Sequence, residues 1–224
     1  INFVSAKPSQ EFSAKSRLDY SSWSTSELEA AVGGGLTDTL SARFAFSKYD
    51  RTDSYEKNRA FDDNIGEKDR LAYRLSFLWE QDDFSALLNL HGGQDKSGQS
   101  ALEHLASFGL DETGSVVEPC AGVAGGQRDE GNCFNAGGYS DTDNKPFSGD
   151  YSVSDGGVDN VSWGMGLTMN WDLSDSLTFT TVTGYDKFSR KQYQDIDASP
   201  FVFIDVTFDD TIESFSQEFR LTSA

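Results

Sequence analysis

Alternation of apolar and polar residues over a long run of positions is the feature of this chain that most restricts its fold. Between Ser162 and Leu173 every second residue is large and apolar: Trp163, Met165, Leu167, Met169 and Trp171. A period of two predicts a β-strand with one apolar and one polar face. Soluble strands usually have about five or six residues, whereas about ten tilted residues cross a membrane. The pattern therefore favours a transmembrane β-barrel.

The same alternation predicts about eight strands. Their expected bounds are Glu11–Tyr20, Ser24–Leu36, Leu40–Tyr49, Asp69–Glu80, Phe84–Gly93, Ser162–Leu173, Leu177–Asp195 and Thr211–Ser223. Short turns are predicted at 37–39, 81–83 and 174–176, and long loops at about 50–68, 94–159 and 196–210. Short turns that alternate with long loops are typical of outer-membrane barrels. A soluble sandwich more often has loops of comparable length at both ends. We expect Trp79 and Trp171, beside short turns, to lie in an aromatic girdle.

Charges of both signs occupy the polar faces of the predicted strands. They are Lys15, Arg17, Glu27, Glu29, Arg43, Arg74, Glu80, Glu218 and Arg220. In a barrel these side chains would line a wet lumen, pair across strands or hold a plug. On a soluble sheet they would form a solvated face, and both interpretations stay open at this point.

Composition excludes several classes of protein. The 224 residues include 37 acidic and 18 basic ones, for a net charge of −19. This balance argues against binding to nucleic acid, whose phosphates need a basic surface, and against docking on an anionic membrane surface. No apolar run approaches the length of a transmembrane helix. The aromatic content of 13%, with 21 Gly and 4 Pro, is typical of a chain rich in strands and turns.

The predicted loop at 94–159 has the most unusual composition, with eleven acidic and three basic residues between 94 and 158. Loops of this length are usually functional or disordered. Ser100–Glu103 resembles a capping box and predicts a short helix that ends at Phe108. On that helix His104 is expected to be exposed. Four aromatic residues of the loop are candidates for ligand binding, and local packing explains them equally well: Phe134, Tyr139, Phe147 and Tyr151.

Cys120 and Cys133 are the only cysteines of the chain and lie in this same loop. Two unpaired thiols are one interpretation. A disulfide is the favoured one, because no other soft metal ligands lie nearby in the sequence. Closing such a loop would constrain the unfolded chain by roughly 3 kcal/mol and would indicate an oxidising compartment.

No motif of enzymatic chemistry occurs in the sequence. His91 and His104 are the only histidines, and neither has a partner at metal-ligand spacing. Asp141–Asn144 begins like a calcium loop, but Pro146 occupies the position that needs glycine. Gly33–Gly35 lies inside a predicted strand, where close packing or a bend explains it better than phosphate binding. We therefore expect no catalytic residue, no cofactor and no metal.

Three segments resemble parts of TonB-dependent outer-membrane receptors of the iron-complex type. Ile1–Pro8 is similar to the junction where the plug ends and the barrel begins. Gly35–Arg43 is similar to the second strand, the first periplasmic turn and the third strand. Leu177–Tyr185, followed by Ser216–Leu221, resembles a pair of barrel strands. Their order and spacing make the resemblance span almost the whole chain.

The resemblance implies an all-β, antiparallel transmembrane barrel of about 22 strands around a plug, located in the bacterial outer membrane. Residues 1–8 would end the plug, and residues 9–224 would form the first part of the barrel with its long extracellular loops. The implied function is energised uptake of a scarce small molecule or metal chelate, such as a ferric siderophore. The implied partners are outer-membrane lipid and a TonB-type energy-coupling protein, which binds a segment not in this chain. A secreted or surface binding module of the adhesin kind and a passive porin-like channel are the alternatives.

Overall fold

The protein is an all-β structure built around one large antiparallel sheet, which confirms the predicted fold class at that level. The computed structural model describes residues 5–102, 104, 107–120, 133–141, 145–153 and 155–223. Among them no helix is found, and hence none that is long and apolar enough to cross a membrane. The described residues form these strands: β1 (Ser13–Ser21), β2 (Thr25–Gly35), β3 (Leu40–Arg51), β4 (Glu56–Asn58), β5 (Asp63–Ile65), β6 (Lys68–Gln81), β7 (Phe84–Asp95), β8 (Phe108–Leu110), β9 (Val116–Val117), β10 (Cys133–Phe134), β11 (Ser148–Gly149), β12 (Gly157–Val158), β13 (Asn160–Ser174), β14 (Leu177–Asp195) and β15 (Asp205–Ser223).

The large sheet follows the order of the chain. Its strands run β1-β2-β3-β6-β7-β13-β14, and both β15 and the short β12 pair with β14. Within the described residues β1 pairs only with β2 and β15 only with β14, so the sheet is open at both edges. The long strands lie where the alternation predicts them, except that β15 begins at Asp205 rather than Thr211.

One face of the large sheet is apolar across its whole width. Residues that are opposite each other in neighbouring strands share a face, so each cross-strand row can be followed through the register. One such row consists of Ala14, Val32, Phe44, Leu75, Leu90, Met165, Tyr185 and Phe215. Many of these side chains remain exposed, from 36% for Leu90 to 69% for Phe215. We call this side the apolar face.

The opposite side, here called the polar face, carries small, polar and charged residues. The row next to the one above consists of Ser13, Gly33, Arg43, Ser76, Asn89, Gly166, Gly184 and Ser216. Charged residues predicted to point this way do so, and several pair across the strands, as Arg17 does with Glu29 at 3.9 Å. The face is therefore suited to contact with water or with another polar surface.

The two ends of the sheet differ in their connections. Short turns join β2 to β3, β6 to β7 and β13 to β14 at one end. At this end Phe84 contacts both Trp79 and Trp171 edge-on, with ring centroids 5.4 and 6.4 Å apart. The other end has the β1–β2 tip and the long connections 52–67, 96–159 and 196–204. This arrangement agrees with the predicted alternation of turns and loops.

The three long connections pack together into one unit, which we call the loop cap and define as the described residues of 52–67, 96–159 and 196–204. Its small core contains one residue from each connection: Ile65, Tyr151 and Ala198. Two short sheets strengthen it, of strand order β11-β4-β5 and β10-β8-β9, and the β11–β4 pair is parallel. The cap therefore has a folded interior of its own.

Candidate functional site

Asn58 is the buried side chain that joins two of the connections in the loop cap. It is fully buried. Its Oδ1 accepts hydrogen bonds from the backbone N–H groups of Ala60 and Tyr151, both at 3.1 Å. Its Nδ2 donates to the backbone oxygens of Tyr151 and Val153, at 3.3 and 3.0 Å. The amide thus acts as a strand partner for residues 151–153, at a place where buried backbone groups need partners.

Arg59, the next residue, makes a bidentate ionic contact within the cap. Its Nε and one terminal nitrogen bind the two oxygens of Asp150 at 3.1 and 3.0 Å, and that terminal nitrogen also binds Asp141 at 2.9 Å. A bidentate guanidinium–carboxylate pair is both strong and directional. Tyr139 donates its hydroxyl hydrogen to Asp150 at 2.7 Å. Burial, and then this hydrogen bond to Asp150, raise the pKa of Tyr139 well above its usual value.

Tyr151 is a core residue of the cap. Its side chain has no exposed surface, and its hydroxyl donates to the backbone oxygen of Leu102 at 2.5 Å. Burial is the main reason that the pKa of this phenol is raised. Both Tyr139 and Tyr151 therefore take part in the local packing that was the alternative to a role in ligand binding.

Phe147 is the candidate that presents an open aromatic surface. It is 55% exposed and contacts Tyr55 edge-on, with ring centroids 5.1 Å apart. Trp23, at the β1–β2 tip, contacts the same Tyr55 at 5.7 Å, and the Arg51 guanidinium lies 5.2 Å from the Tyr55 ring centre. Trp23 and Phe147 both have positive φ angles, 65° and 67°, a conformation that is strained for large side chains. The sequence gives no sign of the roles of Trp23 and Tyr55, because three separate segments bring these rings together.

Phe134 lies beside the disulfide of the cap. It contacts Phe108, with ring centroids 6.4 Å apart. Cys120 and Cys133 are bonded to each other, with Cα atoms 5.7 Å apart, and both are buried. The residues between them, 121–132, lie outside the described part of the chain.

The predicted short helix and the predicted exposure of His104 are wrong for the described residues. Instead of capping a helix, Ser100 accepts a hydrogen bond from the Lys68 ammonium at 3.2 Å, and the Ala101 N–H donates to Glu56 at 2.5 Å. His104 is 6% exposed, with Nδ1 2.9 Å from the backbone oxygen of Asp197. Contacts with other parts of the chain thus determine the conformation of this segment. Glu103, Leu105 and Ala106 lie outside the described residues.

Three carboxylates converge where β14 ends and β15 begins. Oxygens of Asp195, Asp197 and Asp205 lie within 4.8 Å of one another, and such oxygens are the ligands that Ca²⁺ or Mg²⁺ would take. Both oxygens of Asp195 already accept hydrogen bonds, one from the Ala198 N–H at 2.9 Å and one from the Ser152 N–H at 2.7 Å. We assign no metal to these residues. The possible calcium loop at 141–144 is described only at Asp141, which binds Arg59.

The tip of the 196–204 connection is an exposed apolar surface. Phe201, Val202, Phe203 and Ile204 are 48–78% exposed. Phe201 contacts Tyr139 edge-on, with ring centroids 6.5 Å apart. This contact joins the tip to the Arg59 network, so the tip is anchored to the cap on its inner side.

The segment before β1 lies against the polar face of the large sheet. Ser5 makes a hydrogen bond with Arg74, which projects from that face of β6. Pro8 is buried, and the backbone oxygen of Gln10 accepts from the Gly35 N–H at 3.1 Å. The chain therefore enters the sheet from its polar side.

Comparison with known proteins assigns the chain to no family. A scan against protein-family models and a search of curated proteins both gave no match.

Proposed function

We propose that this chain is the opening part of the barrel of a TonB-dependent receptor in the bacterial outer membrane. The receptor would take up a scarce ligand, such as a ferric siderophore or a similar nutrient. The observation that carries the proposal is the division of one sheet into an apolar and a polar face over its full width. Water is a poor environment for so large an exposed apolar surface, whereas a lipid bilayer matches it.

The two ends of the sheet support the same proposal. In outer-membrane barrels the turns on the periplasmic side are short and the extracellular loops are long. The loop cap would then lie outside the cell, where ligand is captured. An accessible aromatic surface at this end is formed by Trp23 of the β1–β2 tip together with Tyr55 and Phe147 of the cap, which are 42–55% exposed.

The course of residues 5–12 favours a receptor with a plug over a passive channel. A chain that reaches β1 across the polar face comes from the side that a barrel encloses. Residues 1–8 would thus be the end of a plug, with its body lying in the lumen. An adhesin-like surface module would expose the broad apolar face to water, which is unfavourable. It is therefore the weaker alternative.

Intact mass and detergent requirement test the proposal. The native polypeptide is extracted from an outer-membrane fraction and measured by mass spectrometry. If these strands are the first of about 22, the complete protein should be roughly three times as long as this chain or longer. Uptake that is lost when either this gene or that of the coupling protein is deleted would support energised transport. A mass near 24.6 kDa, in a protein that is soluble without detergent, would refute the proposal.

A further inference from the structure

The tip of the 196–204 connection carries four consecutive apolar side chains that face solvent. Residues 201–204 are 48–78% exposed. The backbone of the tip is nevertheless fixed, because the Ile204 N–H donates to Asp197 Oδ1 at 3.2 Å. The Phe203 ring packs over Gly137, where a Cβ atom would overlap it. The tip therefore presents its apolar surface in a defined position.

A second exposed apolar surface lies on the β8–β9 hairpin. It consists of side chains that are 37–62% exposed: Leu110, Val116 and Val117. Strand β8 pairs with β10, and the residues that follow β10 reach the tip, where Tyr139 contacts Phe201. The hairpin and the tip are thus connected through one chain of contacts. We call their seven exposed apolar residues the cap patch.

The segments that carry the cap patch are acidic. Residues 107–120, 133–141 and 196–204 contain five carboxylates and neither Lys nor Arg. Asp141 is neutralised by Arg59. Glu112 and Glu118, on the hairpin, are exposed, and within the described part of the chain no cation pairs with either of them. The cap patch is therefore bordered by an excess of negative charge.

The tip is separate from the apolar face of the large sheet. Strand β14 continues from Tyr185 to Asp195, which is about 33 Å of strand. Along this stretch the side that continues the apolar face carries Lys187, which pairs with Glu213 at 2.9 Å. The lipid-like surface thus ends well before the tip. Acidic surroundings also disfavour contact with an anionic lipid surface.

The exposure of the cap patch favours a polypeptide over a small molecule. Small-molecule sites are concave and bury most of the surface of their ligand, which side chains exposed by 48–78% at a projecting tip do not do. Exposed apolar surface with a polar or charged border is instead typical of contacts between polypeptides. The negative border selects a partner with positive charge.

We infer that the cap patch is a docking surface for a basic, amphipathic segment of another polypeptide. Apolar side chains of the partner would cover the tip at 201–204. Its Lys or Arg side chains would bind carboxylates such as Glu112 and Glu118 through charge-assisted hydrogen bonds. The inference goes beyond the proposed function and does not depend on it, because the cap faces solvent in a receptor and in a surface module alike.

Binding of two synthetic amphipathic peptides to the complete protein tests the inference. One peptide consists of leucine and lysine, and the other of leucine and glutamate. The protein is held in phosphatidylcholine nanodiscs, and fluorescence anisotropy measures binding, with empty nanodiscs as the blank. The lysine peptide should bind, and more weakly as the salt concentration rises. The glutamate peptide should not bind.

Variants of the tip locate the binding surface. Val202→Asn should weaken binding of the lysine peptide about tenfold, the effect of losing one buried Val side chain. Phe203→Asn should act in the same direction. Phe61→Asn is its matched control, because Phe61 and Phe203 are both 53% exposed in the same cap, and it should leave binding unchanged. Joint replacement of Glu112 and Glu118 by Gln should weaken binding and reduce its dependence on salt.

Three results would overturn the inference. The first is failure of the lysine peptide to bind, or equal binding by the parent and Val202→Asn. The second is a Val202→Cys variant whose thiol does not react with a maleimide, which would show that another part of the complete protein covers the tip. The third is binding of phosphatidylglycerol vesicles that depends on Val202, which would assign the tip to a membrane surface. A mass near 24.6 kDa would refute the proposed function alone and leave this inference standing.

Discussion

Gly164 lies on the polar face of β13, between His91 on β7 and Asp186 on β14. His91 Nε2 and Asp186 Oδ1 come within 2.9 Å of each other across it. A Cβ atom at Gly164 would overlap both of these atoms, whereas at Gly166 the nearest atom is the Thr183 oxygen at 4.0 Å. The missing side chain at Gly164 therefore permits a contact between strands that are not neighbours.

We predict that Gly164→Ala is less stable than Gly166→Ala by about 0.5–1.5 kcal/mol, the usual net contribution of a hydrogen bond. Both changes bring the same gain from replacing glycine within a strand, so their difference isolates the His91–Asp186 contact. Unfolding of the complete protein in detergent measures this difference in stability between the two variants. In a His91→Ala background the difference should vanish, and a difference that persists there would show that Gly164 matters for another reason.

The residues of the candidate site were only partly predictable from the sequence, for a reason that His104 illustrates. Its neighbours Leu102 and Leu105 are apolar, but their spacing predicts one side of a short helix and leaves His104 on the exposed side. It is enclosed by the backbone of Asp197 in the 196–204 connection and by the ring of Tyr139, whose centroid lies 5.0 Å from that of the imidazole. Trp23 and Tyr55 were missed in the same way, since their aromatic surface forms from separate segments.

Among the structural elements, the loop cap should depend for its stability on the buried carboxyl of Asp195, which ends β14 and binds Ser152 and Ala198 of the cap. Asp195 is 1% exposed at the loop end of β14. Burial, and then the nearby Asp197 carboxylate, raise its pKa, against the hydrogen bonds from Ser152 and Ala198. A carboxyl whose pKa is higher in the folded state stabilises that state while protonated. Its contribution is therefore fully present below about pH 4, its unfolded value, and is lost as the pH rises through the raised pKa.

We predict that Asp195→Asn removes this part of the pH dependence of the cap. The thermal unfolding midpoint of the cap, measured between pH 4 and 7, should fall less with rising pH in the variant than in the parent. Asp62→Asn is the control, because the Asp62 side chain is 94% exposed in the same cap and the change should leave the slope unaltered. Equal slopes in the parent and in Asp195→Asn would contradict the prediction.

The long strands were predictable and the short ones were not, because only the long ones show a repeat. Among the described residues, seven strands have only two or three residues. Some pair with distant segments, as β11 does with β4 and β10 with β8, and others form short hairpins, as β4 does with β5. The early start of β15 has a similar cause. The sequence around Asp209 and Asp210 breaks the alternation, yet Arg190 binds Asp210 at 2.7 Å and lies 4.3 Å from the Phe208 ring centre. Pairing with β14 thus extends the strand beyond its own pattern.

For the whole molecule, the decisive question is whether the apolar face of the sheet meets lipid, as the proposed function requires. Met165 and Gly166 are consecutive residues of β13 on the apolar and the polar face. We predict that Met165→Arg destabilises the complete protein in bilayers by about 2–4 kcal/mol, the cost of arginine at the lipid midplane. Gly166→Arg should cost much less, because its side chain enters the polar side, where the nearest atom to a Cβ is 4.0 Å away.

Folding into lipid vesicles at increasing denaturant concentrations measures both variants. The two proteins carry the same new charge in the same strand, so a general effect of arginine on folding cancels. Equal stabilities would show that Met165 does not face lipid, and would favour the soluble surface module instead.

The shared core of the loop cap limits how the outer surface of this protein can be altered. Ile65, Tyr151 and Ala198 belong to three different connections, and Asn58 holds residues 93 positions away from it. Grafting any one connection onto another scaffold would leave its side chains without the partners that position them. If the proposed function holds, transfer of ligand specificity would require all three connections at once. Natural divergence of this surface should proceed by coordinated changes in the three.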